Sequence, residues 1–328
     1  MKKLVLWAAI TLGLIGIAVA VLIVAARAGW LTPDDAVLRS RYALPESRFA
    51  LISGESIHVV EQGQGPVVVL LHGSFGSLRM WNDWAAELAS RYRVIRFDRP
   101  PMGLSGPDPA GRYDTERELR ILSELTGQLG GERFFLVATS SAGVAGAAYA
   151  AAHPERLHGL LLANVAVGPF AMNADHLSAR MKLLLRIDPW FGGWRPAAFW
   201  QEVLRANFFH PERVTPELAR EWADLNNRAQ RMPRAPGAEN SAAAFERTPR
   251  DLARISSPTL LLWSQHDHEL PVETVGARGL ELLAARDKRL VVVPDCGHMM
   301  PLECGTDSAR LAGVFFDRIV AGGDQDGE

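Results

Sequence analysis

Ser140, Asp267 and His298 occur in that order along the 328-residue chain, each just past a strongly apolar run: RFFLVAT, SPTLLLWSQ and RLVVVPDCG. A serine hydroxyl is a poor nucleophile unless a base takes its proton, and an imidazole base needs a carboxylate to orient it. These three residue types suit nucleophilic attack on a carbonyl carbon. Two serines compete for the first role, side by side in LVATSSAG. A strand that turns sharply into a helix holds its nucleophile at positive φ, so residues two before and two after must be small. Centred on Ser140, the flanks are Ala138 and Ala142. Centred on Ser141, they are Thr139 and Gly143, and β-branched Thr139 would crowd the turn. Ser140 is therefore the expected nucleophile. Taken alone, the stretch reads equally well as an ordinary turn rich in serine; the downstream Asp267 and His298 tip the balance.

Attack on a carbonyl builds an oxyanion that needs preorganised N–H donors. The loop HGSFG after VVVLL offers the backbone N–H of Ser74, and the residue after the nucleophile offers that of Ser141. His72 reads as a hydrogen-bonded loop residue. His153 and His158 flank a helix–strand junction and His210 lies in a helical insertion, so all three are poorly placed as bases. His266 and His268 bracket Asp267, but neighbours on an extended segment point to opposite sides, which disfavours joint metal ligation. No metal and no organic cofactor is expected.

Elements must bring these residues together. From Phe49 onward, short β-type runs alternate with helical stretches: FALIS, SIHVVEQG, PVVVLLHG, YRVIRFD, RFFLVATS, LHGLLLAN, PTLLLWSQHD and KRLVVVPDCGH. The first two suggest a hairpin. The later runs are almost continuously apolar, as strands buried on both faces require. With helices over Trp81–Arg91 and Asp114–Leu129, the pattern predicts an α/β fold with a mostly parallel sheet and helices on both faces. Residues 168–250 hold no strand-like run and are punctuated by Pro189, Pro196, Pro211, Pro216, Pro233 and Pro236. That length is too great for a plain connection, and it reads as an inserted helical lid. Core residues are then 49–167 and 251–320, and the Gly/Asp-rich stretch 321–328 reads as a disordered tail.

Lys2 and Lys3 precede an uncharged run from Leu4 to Ala26. At about 1.5 Å per residue it reaches roughly 34 Å, against about 30 Å of bilayer hydrocarbon. Residues 1–28 read as a transmembrane anchor left in place; a cleaved signal, with Ala26-Arg27-Ala28 as the site, is the alternative. The leading lysines keep the first residues cytoplasmic and put the body outside the inner membrane. Residues 29–48 read as a polar tether. The two cysteines, Cys296 and Cys304, make no disulfide framework; two buried thiols is the preferred reading, a pair flanking His298 the other. A formal net charge of −2 leaves no basic footprint for nucleic acid.

Through LLHGSFGS, VIRFDRPPMGLSGP, LVATSSAG, AAHPERLHGLLLAN, LLLWSQHDHELP and VVVPDCGHMMPLE, the chain resembles the α/β-hydrolase superfamily from about Phe49 to Val320. It is most similar to lid-bearing bacterial hydrolases with an N-terminal membrane segment. The resemblance implies Ser140 as nucleophile, Asp267 as acid, His298 as base, and Ser74 and Ser141 as oxyanion donors. Ala138 and Ala142 replace the usual glycines, and Pro101 a loop glycine. Relatives with aspartate as nucleophile are haloalkane dehalogenases or epoxide hydrolases; serine argues against both. The expected activity is hydrolysis of an ester-like bond in a small hydrophobic substrate. Lactonase, C–C bond hydrolase and aminopeptidase share the triad, and an inert tethered binding protein shares the fold. An aminopeptidase would need an acidic amine anchor such as Glu202, Asp224 or Glu239. If His298 titrates near the ordinary ~6.5, activity falls on acidification through that value.

Overall fold

A computed structural model describes residues 2–170, 177–235 and 244–323. In chain order the elements are α1 (Lys2–Ala28), α2 (Asp35–Tyr42), β1 (Arg48–Ile52), β2 (Glu55–Gln62), β3 (Val67–Leu71), α3 (Asn82–Leu88), β4 (Arg93–Phe97), α4 (Thr115–Gly127), β5 (Phe134–Thr139), α5 (Gly143–Ala152) and β6 (Leu157–Ala163). Then come α6 (Ala179–Ile187), α7 (Ala197–Asn207), α8 (Pro216–Gln230), α9 (Thr248–Leu252), β7 (Thr259–Ser264), α10 (Ala277–Leu282), β8 (Lys288–Val293), α11 (Met300–Glu303) and α12 (Gly305–Gly323).

All eight apolar runs become strands of one sheet, ordered β1-β2-β4-β3-β5-β6-β7-β8. The pairings β1–β2 and β2–β4 are antiparallel, and the other five are parallel. Side chains alternate between two cores: Val67, Val69 and Leu71 face one layer of helices, Val68 and Leu70 the other. That is why β3, β5 and β7 read as unbroken apolar runs. Edge strand β8 is half-exposed along most of its length. The chain leaves β3 toward β4 on one side and returns to β5 on the other. A crevice at the carboxyl ends of β3 and β5 is the expected consequence of that reversal.

Helix α5 approaches the sheet closely at two glycines, where no side chain holds it off. A Cβ on Gly143 would stand 2.5 Å from Val165 Cβ, and one on Gly146 2.8 Å from Ala138 Cβ. Between β6 and α9 the regular elements among the described residues are helices, and Phe199, Trp200, Leu204, Phe208 and Trp222 form a core of their own. Helix α9 straddles residue 250 and buries Leu252 in the main core, so the body begins before the expected boundary at 251.

The tether expectation for residues 29–48 needs correction. Asp34 caps α2 by accepting from Val37 N at 2.9 Å, and Leu38 is fully buried against Tyr42, Leu104 and Leu225. Both oxygens of Asp35 receive the Arg228 guanidinium at 2.8 Å, and Tyr42 Oη donates to Asp224. An eight-residue helix is marginal by propensity, so the partner surface on α8 makes it. Leu38→Ala should remove about 2–5 kcal/mol of that packing. The expected result is a lower thermal midpoint and faster proteolytic cleavage between α1 and β1; unchanged values would show that α2 contributes little.

Helix α1 has a mean hydropathy of 2.8 over its most apolar window, long and apolar enough to cross a membrane. Its end packs on the helical insertion: Ala25 and Ala26 are buried, Arg27 Nη1 donates to Trp190 O, and Arg231 Nη1 donates to Ala28 O. The last helix runs to Gly323, three residues into the segment expected to be disordered. The remainder of that tail expectation, 324–328, lies outside the described residues, as do 171–176 and 236–243 of the insertion.

Candidate active site

Ser140 follows β5 directly and has φ 53°, the positive value expected for a serine at a strand-to-helix elbow. Ala138 and Ala142 are fully buried on either side of it. The loop after β3 presses on this elbow: a Cβ on Gly73 would stand 2.9 Å from Ser140 Cβ. Only a glycine lets the two turns meet. Their next residues also touch, Ser74 Oγ donating to Ser141 Oγ at 2.8 Å. The two residues expected to offer main-chain amides therefore flank Ser140 from adjacent strands.

His298 Nε2 lies 3.0 Å from Ser140 Oγ, and His298 Nδ1 lies 2.7 Å from Asp267 Oδ2. The second oxygen, Asp267 Oδ1, accepts from the backbone of Glu269 at 2.9 Å and of Leu270 at 2.8 Å. Three residues more than 30 positions apart are thus joined in one line, with Asp267 and His298 both buried. Such a relay can take a proton from the serine oxygen while the carboxylate steadies the imidazolium that forms.

Burial lowers the His298 pKa, but the charge of Asp267, its hydrogen bond and the charge of Glu269 outweigh it and push the value up to about 9. The sequence-level figure of ~6.5 is corrected accordingly. Because the base must be neutral, kcat/KM should rise with pH and level off only above about 9, losing roughly tenfold per unit below it. A plateau reaching down to pH 7 would contradict this. His72 goes the other way: desolvation, then the nearby Arg99 charge, lower its pKa to about 4. Its ring is buried, with Nδ1 against Gly73 O and Nε2 accepting from Arg99 N, so it serves the loop.

Several residues with no assigned role turn out to hold the His298 loop. Asn164 follows β6 at φ 48°, and its amide donates to His298 O at 3.0 Å and to Ser264 Oγ. Glu303 accepts from the N–H of Gly297, Phe209 and His210, tying that loop to the insertion. Gly297 is needed for close approach: a Cβ there would stand 2.5 Å from Asn207 O. Asn164 and Glu303 lie inside the quoted motifs LHGLLLAN and HMMPLE, but neither spacing nor residue type says what a buried amide or carboxylate will meet. The cysteine expectation is corrected: Cys296 and Cys304 form a disulfide across the loop that carries His298. Spacing could not show that their Cα atoms come within 6.1 Å.

Three other histidines have partners away from this line. His153 sits by Glu155, His210 by Glu212, and His266 stacks on Phe209. Among the described residues, the one group spaced to hold a metal is Cys296, Glu303 and Cys304, whose sulfurs are joined to each other. Of the amine-anchor candidates, Glu202 is engaged by Ser178 and Asp224 by Tyr42, while Glu239 lies outside the described residues. A cleft opens beside Ser74 and Ser141, walled by Phe97, Met102, Tyr113, Ile121, Val144 and Phe245. Its cations are already paired, Arg99 with Glu118 and Arg117 with Glu55 and Asp108.

Residues 68–313 match the Alpha/beta hydrolase family. A 2-hydroxy-6-oxo-6-phenylhexa-2,4-dienoate hydrolase from Comamonas testosteroni is 27% identical, covering 81% of this chain and 94% of its own. A membrane phospholipase A superposes with a TM-score of 0.66 at 24% identity, over 97% of this chain and 99% of that one. Naproxen esterase from Bacillus subtilis superposes with a TM-score of 0.69 at 18% identity, over 86% and 95%. At these identities the two structural likenesses speak for the fold.

Proposed function

The chain belongs to the alpha/beta hydrolase family, and from that premise we propose a serine hydrolase that cleaves an ester-like bond through an acyl-enzyme. Ser140, His298 and Asp267 are its nucleophile, base and acid. The observation that carries this reading is the continuous line Ser140 Oγ–His298 Nε2–His298 Nδ1–Asp267 Oδ2, at 3.0 and 2.7 Å. His298 takes the Ser140 proton as Oγ attacks the carbonyl carbon. The oxyanion is met by the N–H groups of Ser74 and Ser141. The same proton passes to the leaving alcohol, and the ester C–O bond breaks. Water then attacks the acyl-enzyme, giving His298 a proton that returns to Ser140 as the acid departs.

The apolar cleft favours a small hydrophobic acyl or alcohol group. We read the insertion from residue 168 up to α9 as a lid on a core of 49–167 and of α9 onward to 320. We also read α1 as an uncleaved anchor with the body outside the inner membrane. The contacts of Arg27 and Ala28 with the insertion support this, since cleavage would sever them. A disulfide suits an oxidising compartment. A second reading, C–C bond hydrolysis, is favoured by the Comamonas relative. Turnover of p-nitrophenyl esters of rising chain length, set against a 2-hydroxy-6-oxo-dienoate and amino-acid anilides, decides among these. Preference for the dienoate or the anilides would overturn the esterase.

A further inference from the structure

His298 has a carboxylate at each nitrogen. Asp267 holds Nδ1, while Glu269 Oε2 lies 3.6 Å from Nε2, the atom that also contacts Ser140 Oγ. The Glu269 side chain is 20% exposed, and among the described residues its ion-pair partner is the His298 ring alone. Glu303 faces the same loop from behind but is occupied by the N–H groups of Gly297, Phe209 and His210. In the proposed reaction Nε2 hands the proton to the leaving alcohol, so the departing oxygen comes within about 3 Å of it. Whatever that oxygen carries must then pass close to Glu269. In a partly desolvated site a charge at such range acts strongly.

We propose that Glu269 is a specificity-determining residue that selects esters whose alcohol is cationic or uncharged and rejects those whose alcohol is anionic. The proposal rests on the serine-esterase reading and names its substrate class. Any effect of Glu269 on the His298 proton is common to all substrates; selection by alcohol charge is not. Butyrate esters of choline, 3,3-dimethylbutanol and 2-sulfoethanol separate the two. All three give the same acyl-enzyme, so differences in kcat/KM arise while the alcohol is still in the site.

Wild-type protein at low ionic strength should turn over the choline ester fastest and the sulfonate slowest, with steps of about tenfold that shrink as salt is raised. Glu269→Gln should bring the three values together, whatever it does to their common level. Equal kcat/KM for all three esters in the wild type overturns the proposal, as does a Glu269→Gln variant that scales all three alike. Should that variant not fold, the wild-type salt dependence still decides: a preference that salt leaves untouched sinks the idea. Loss of neutral-ester turnover, with no fluorophosphonate labelling of Ser140, would instead remove the esterase reading and this proposal with it.

Discussion

Ser140→Ala is expected to lower kcat by roughly 10⁵-fold or more and to abolish labelling by a fluorophosphonate. The hydroxyl is the group in line with His298 Nε2, and its neighbour cannot replace it. Ser141 is turned into the helical segment after the elbow, with its Oγ accepting from Ser74. The backbone at φ 53° is as open to alanine as to serine, so the variant should fold with an unchanged circular dichroism spectrum. Residual hydrolysis above water would come from the oxyanion donors and the cleft. Retained labelling at near wild-type rate would assign the nucleophile elsewhere and return Ser140 to being a turn residue.

Asp267→Asn should cost about 10⁴-fold in kcat while leaving the fold intact. The reason is specific to how this carboxylate is held. Its Oδ1 accepts two backbone N–H groups, from Glu269 and Leu270. An asparagine must keep its carbonyl oxygen on that side, which turns its amide N–H₂ toward His298 Nδ1. The ring then has to accept at Nδ1 and carry its proton on Nε2, facing Ser140. A protonated Nε2 cannot take the serine proton, so the base is disabled by tautomer rather than by distance. Loss of the Asp267 charge also removes the largest of the effects that raise the His298 pKa, so what activity survives should titrate at lower pH. A variant with near-normal kcat and an unmoved pH profile would show that Asp267 does not orient the ring.

Much of this molecule was legible from local pattern. Strand runs buried on both faces must be apolar throughout, and all eight were found where the runs lie. The elbow was legible because a positive-φ nucleophile tolerates only small flanks, which separated Ser140 from Ser141 on residue size alone. The order Ser, Asp, His pointed to residues that the fold then placed in contact.

Other features depend on partners far along the chain, where spacing is silent. Helix α2 exists because Arg228 and Leu225, nearly 200 residues away, receive it; its own composition is polar and its length is short. The cysteine pairing, the grip of Glu303 on Gly297 and the contact of Asn164 with His298 O arise where separate loops pack. The raised pKa of His298 is decided the same way, by two carboxylates on opposite sides of one buried ring. Residue type and periodicity specify what a short segment becomes, because backbone geometry and burial are local demands. Which charges and amides finally face each other is set by long-range packing, and that required the folded chain.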